Sequence, residues 1–253
     1  MNTSRFPTLD CHAHVAPDVT TSQIRALGEA FIFAMTRSLD EAEQVAKRND
    51  NRIVWGCGVH PGVPASLQEF DEQHFRELID DFAIIGEIGL DRRSGCFDKQ
   101  ISILRSILSI VRLEPLLLSI HSTGCHKRVL DLLEETPHEG AILHWFTGDD
   151  ADWSRAIALD CYFSINAYMS PEMLSRVPID KMLPETDFPA SARGTRAVRP
   201  GDIDCLERLV AETTGESRDA VRAQWYRNLR KAAMASGALE RLPDGLFDIL
   251  LAA

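Results

Sequence analysis

The chain has 253 residues, 45% of them hydrophobic, and a formal net charge of −11. That length suits one large domain with a substantial core, and α/β barrels often run to this size as one unit. The acidity argues against a broad duplex-binding surface, which would be basic, although local arginines and cations can still carry phosphate contacts. Six scattered cysteines form no C-x-x-C pair and no signal-peptide pattern precedes them, so reduced thiols in the cytoplasm are expected. No apolar run approaches the ~20 residues of a membrane span, so no membrane association is expected.

In chain order, short apolar runs alternate with longer amphipathic ones. The first run, F-P-T-L-D-C-H-A-H, ends on His12 and His14, followed by A-F-I-F-A-M-T and by R-I-V-W-G-C-G-V-H, which ends on His60. Next come F-A-I-I-G-E-I-G-L with Glu87, P-L-L-L-S-I-H-S with His121 and A-I-L-H-W-F-T-G with His144. C-Y-F-S-I-N-A and D-K-M-L-P-E-T-D close the series, the last ending on Asp187. Helical pattern fills the gaps at 38–49, 67–82, 98–113 and 126–135. The stretch 202–233 holds more of it than one helix needs, giving a closing helix and an extra C-terminal one.

Eight strands separated by seven helical or loop segments give the α/β class and a (β/α)8 TIM barrel, a single domain over 1–253. All strand C-termini of such a barrel emerge on one face. His12, His14, His60, Glu87, His121, His144 and Asp187 should therefore converge. Ionisable side chains on buried strand ends need partners or a metal.

Each element then has its own chemistry. His12 and His14, at i and i+2 on a strand, face the same way and suit Zn²⁺ or Mn²⁺. Glu87 lies between glycines in an apolar stretch, where bridging two cations would remove the cost of burying its charge. Asp187 precedes Phe188-Pro189 and can hold metal with one oxygen while the other takes a proton from the attacking water. Asp91 reads as a loop or cap residue without chemistry. His74 and His138 read as surface or capping histidines. His126, one helical turn after His121, is the one that could line the cleft, and Trp145 and Phe146 read as core or cleft wall.

The ordered set L-D-C-H-A-H, G-V-H-P, G-E-I-G-L-D, a His after P-L-L-L-S-I, H-W-F-T-G and E-T-D-F-P resembles the TatD family of metal-dependent deoxyribonucleases, within the amidohydrolase-like barrels. A weaker R-x-x-R-P…N-L-R tail extends the match to about residue 230. The resemblance implies a nuclease acting on single-stranded DNA or DNA ends, 3'-5' exonuclease-like, with two divalent ions (Mg, Mn or Zn). By it, His12, His14 and Asp187 hold one metal, Glu87 bridges, and His121 and His144 hold the second. His60 contacts substrate phosphate or polarises the leaving group, and Asp187 is the general base. Family members usually read H-x-R after the fifth strand, where this chain has Thr123. Arg92 and Arg93, or Arg193, Arg196 and Arg199, are candidates to replace that contact. Alternatives are amide, ester or lactone hydrolysis on the same barrel, or a non-catalytic metal-binding subunit of a larger DNA-processing or defence complex.

Overall fold

A computed structural model describes residues 6–189 and 197–253. Eight parallel strands form one sheet in strict sequence order: β1 (Leu9–Ala13), β2 (Phe31–Met35), β3 (Ile53–Cys57), β4 (Ile84–Gly89), β5 (Leu117–His121), β6 (Ala141–His144), β7 (Tyr162–Ile165) and β8 (Met182–Pro184). Every strand residue is buried, as expected where helices cover the outside and side chains fill the inside.

The outer layer comprises α1 (Thr21–Ala26), α2 (Leu39–Val45), α3 (Pro64–Glu69), α4 (Glu72–Leu78), α5 (Phe97–Val111), α6 (His126–Glu135), α7 (Asp150–Ala158), α8 (Pro171–Leu174), α9 (Asp204–Thr214), α10 (Arg218–Ala235) and α11 (Asp244–Leu251). The helical pattern at 67–82 is two helices, not one. Asp71 interrupts it, its side chain accepting the His74 N–H at 2.7 Å and capping a fresh start at Glu72. The stretch 202–233 holds α9 and most of α10, as its excess of pattern suggested. A further short helix, α11, packs on α10 through buried Leu246 and Leu250.

The ring closes between β8 and β1. The Asp187 N–H donates to the His12 carbonyl at 2.9 Å, and the His14 N–H donates to the Phe188 carbonyl at 2.7 Å. Buried Asp10 staples this seam. Its carboxylate accepts from Thr186 N (2.9 Å), Thr186 Oγ1 (2.7 Å) and Gly201 N (2.8 Å). Close approach also fixes two glycines of the motifs. A Cβ on Gly58 would lie 1.9 Å from the Thr36 carbonyl oxygen. Gly89 has φ +137°, and a Cβ there would lie 2.0 Å from the His121 carbonyl oxygen.

Candidate metal centre and active-site cleft

The carboxyl ends of the strands bring the seven sequence-predicted rim residues together. Six of them, His14, His60, Glu87, His121, His144 and Asp187, line a cleft of about 640 Å³, and His12 lies buried beneath it. Donor atoms of His12, His14 and Asp187 fall within 4.8 Å of one another; so do those of His12, Glu87 and His144, and those of His14, His60 and Glu87. His121 enters none of these triads, but its Nδ1 lies 2.6 Å from Glu87 Oε1.

Not all of these residues stand directly on a strand. His12 is within β1 and His14 one residue past it, whereas His60 and Asp187 lie three residues beyond β3 and β8. Asp187 has φ +49° and Trp145, just after His144, φ +42°. The left-handed region is costly for such side chains and persists where neighbours dictate it. At Asp187 the hydrogen bond to His12 is one such constraint.

The partners of each imidazole decide which nitrogen carries the proton. His14 Nδ1 must donate to the Met35 carbonyl (3.0 Å), and His144 Nδ1 donates to the Glu185 carboxylate (2.8 Å). In the neutral ring, each would therefore present an Nε2 lone pair to the centre. His12 Nδ1 meets Ser119 Oγ at 2.7 Å, and its Nε2 also turns inward. His121 Nε2 is held by Asp91 Oδ2 at 3.2 Å, which leaves Nδ1 facing Glu87. His60 is the opposite case. Its Nδ1 accepts the Gly62 N–H at 2.8 Å, so the proton sits on Nε2, 3.2 Å from Glu87 Oε2. In this tautomer its Nε2 proton points towards Glu87, although the residue also enters one of the three candidate ligand triads.

The charges balance tightly. Burial opposes the carboxylate of Glu87, yet His60 and His121 hold it well below the usual range. Burial pushes Asp187 up to about 7; His144 opposes this and Glu185 reinforces it. Burial, with His144 beside it, lowers His12 to about 4. In His144 burial is overcome by Glu185 and Asp187, which push it up to about 10.

On the rim, two buried atoms remain without hydrogen-bond partners, His12 Nε2 and Glu87 Oε2, only 3.5 Å apart. The nitrogens of His14 (3.1 Å) and His60 (3.2 Å) also approach that oxygen without bonding geometry. Unpaired buried polar atoms are costly, and imidazole and carboxylate donors crowded this way fit a divalent cation.

Three anchors were missed in the sequence. Asp10 lies two residues before His12 on β1, and Glu185 lies two residues before Asp187, just past β8. Glu185 is buried, and its carboxylate also accepts from Ser164 Oγ and from Asn166 Nδ2 (2.9 Å). Asp91, expected to be inert, holds both His121 and the Arg93 guanidinium (3.1 Å).

Of the arginines, Arg93 lines the cleft, while Arg92 lines an adjoining pocket of about 570 Å³ together with His126. The structure places Arg199 elsewhere: it does not line the cleft and donates to the Ala26 carbonyl at 2.8 Å. Arg193 and Arg196 lie outside the described residues. Phe146 is fully buried, as expected of a core residue, and Trp145 forms cleft wall.

Residues 9–233 match the family described as TatD related DNase. The chain is 30% identical over 148 residues to the 3'-5' ssDNA/RNA exonuclease TatD of Yersinia pseudotuberculosis, covering 52% of this chain and 56% of that protein. To the protein of the same name from Cronobacter sakazakii it is 27% identical over 201 residues, covering 72% and 76%. Among solved structures, YJJV, a TatD homolog from Escherichia coli K12, superposes with a TM-score of 0.73 at 20% identity, covering 89% of this chain and 97% of that one.

Proposed function

Because the chain belongs to the TatD-related DNase family, we propose that it hydrolyses phosphodiester bonds of DNA, taking single strands or strand ends in a 3'-5' exonuclease-like manner with two divalent cations. The reading treats 1–253 as one catalytic domain. The observation that carries it is the buried pair His12 Nε2 and Glu87 Oε2, which has no partner on a rim crowded with ligand atoms. The TatD relatives described as 3'-5' ssDNA/RNA exonucleases support the substrate class.

His12, His14 and Asp187 would hold one cation and His121 and His144 the other, with Glu87 shared between them. A divalent cation (Mg, Mn or Zn) would supply Lewis acidity and neutralise phosphate charge. The remaining chemistry falls to the chain. Asp187, whose carboxylate lines the cleft, accepts the proton of the attacking water. His60, with its proton on Nε2, donates to the departing oxygen or to a phosphoryl oxygen. Met35 and Glu185 hold His14 and His144 as Nδ1 donors, and Ser119 and Asp91 orient His12 and His121. Arg93, already oriented by Asp91, is the cleft arginine available to a phosphate.

The reading places the activity in the cytoplasm. All six thiols are free, four of them buried, which suits a reducing compartment. Among the described residues no helix is long and apolar enough to cross a membrane. The test pairs elemental analysis with hydrolysis of labelled single-stranded DNA, duplex DNA, RNA and aryl esters, each with Mg²⁺, Mn²⁺ or Zn²⁺. Metal uptake of about two ions per chain and preference for single strands are expected. No metal uptake, or far faster turnover of a carbonyl substrate, would sink the proposal.

A further inference from the structure

We propose that Tyr168 and Trp145 form a stacking platform for one unpaired nucleobase beside the scissile phosphate, so that the cleft selects strands whose bases are free. The inference rests on the phosphodiesterase reading above and names the part of the substrate that reading leaves unassigned.

Trp145 directly follows His144 and shares the cleft with Glu87 and Asp187. Its φ of +42° is an outlier for a bulky residue. The Trp145 N–H is held by the Ser164 carbonyl at 3.1 Å, and the next side chain, Phe146, is locked in the core. The chain thus accepts backbone strain and keeps a part-buried indole on the cleft wall.

Tyr168, just after β7, is 63% exposed. A lone exposed tyrosine would be unremarkable. This ring, however, meets Trp145 edge to face, with centroids 5.5 Å apart and planes at 67°. Such a pairing fixes two rings while leaving a face open.

The platform is also tied to the rim. The Tyr168 N–H donates to Asn166 Oδ1 (3.0 Å), Asn166 Nδ2 donates to Glu185 Oε1 (2.9 Å), and Glu185 Oε2 accepts from His144 Nδ1 (2.8 Å). One buried carboxylate therefore sets both the tyrosine loop and an imidazole of the centre. His60, Asp91 and Arg93 line the same cleft and supply polar groups. These polar groups suit phosphate and the uncharged aromatic wall suits the face of a base. In a duplex those faces are already stacked on one another, so only an unpaired base can use the platform.

The test measures steady-state kinetics on single-stranded oligonucleotides carrying one abasic residue at successive positions around the scissile bond. Wild type is compared with Tyr168→Ala and Tyr168→Phe. Tyr168→Ala should raise KM for the intact strand roughly 5- to 150-fold, the worth of one stacked base, with kcat much less affected. Tyr168→Phe keeps the ring and should stay within about twofold of wild type. At one position, removing the base should raise the wild-type KM comparably and add little to Tyr168→Ala. An unchanged KM in Tyr168→Ala, or base loss and ring loss that multiply at every position, overturns the platform while wild-type cleavage keeps the phosphodiesterase reading intact. If wild type cleaves no nucleic acid, both fall together.

Discussion

Glu87 on the strand-end rim and Glu207 in the outer helical layer are both buried carboxylates, 1% and 0% exposed, and their surroundings differ in kind. Glu207, on α9, is gripped by two guanidiniums from α10. Arg222 bonds both of its oxygens, and Arg218 Nη2 reaches Oε2 at 2.7 Å. Permanent cations on forked donors saturate it, and nothing further can bind. Glu87 has only imidazoles, whose protons can leave, and one of its oxygens has no directed bond. A carboxylate closed by arginine is a structural tie, whereas one ringed by histidines keeps room for an exchangeable cation.

The comparison can be broken by substitution. The largest effect should come from the rim: Asp187→Asn keeps shape and one ligand oxygen but loses the proton acceptor, so hydrolysis should fall ~10²–10⁴-fold. Retained fold and partial metal uptake, measured by circular dichroism and elemental analysis, should accompany that loss; near wild-type activity would assign the base elsewhere. Glu207→Ala should do the reverse. Stability to urea should drop by about 2–3 kcal/mol, below the full cost of breaking a buried pair because Arg218 stays partly solvated, while metal content per folded chain is unchanged. Should Glu207→Ala strip metal and leave stability alone, the contrast drawn above is wrong.

Between these lies Glu185→Gln, which removes the charge that orients His144. Metal affinity or activity should fall about 10- to 100-fold with the fold intact, read by metal titration. The smallest effect is expected for Arg93→Gln. Its guanidinium is exposed and already shared with Asp91, so KM for single-stranded DNA should rise only a few-fold, with a shallower salt dependence. A KM that does not move would mean that Arg93 serves Asp91 and not the phosphate.

Much of this was legible in the sequence because burying ionisable groups is expensive. His12, His14, Glu87, His121, His144 and Asp187 each interrupt or end an apolar run, and the barrel brings those ends together. What could not be read was the division of labour. Whether a histidine offers Nδ1 or Nε2 depends on a partner far along the chain, such as the Met35 carbonyl for His14 or Glu185 for His144. Asp10 and Glu185 look like ligands by position and prove to be anchors, because their oxygens are spent on the seam and on His144. Arg199, a cation near the last strand, donates through Nη1 to the Ala26 carbonyl and does not line the cleft. The break at Asp71 and the short α11 depend on a single cap and on a few buried leucines, signals too local to stand out from helical periodicity.

The seam between β1 and β8 has a consequence for how the protein is made. Asp10 precedes its partners Thr186 and Gly201 by more than 170 residues, so it is synthesised long before them. The rim needs both ends, since His12 and Asp187 stand on opposite sides of that closure. A chain stalled before residue 187 lacks the carboxylate proposed to take the proton, and the ring around Glu87 is open. Closure between segments so far apart makes assembly slow, and it leaves the rim incomplete until β8 has been made. Nucleic acids near the site of translation meet the enzyme only once nearly all of the barrel has been synthesised.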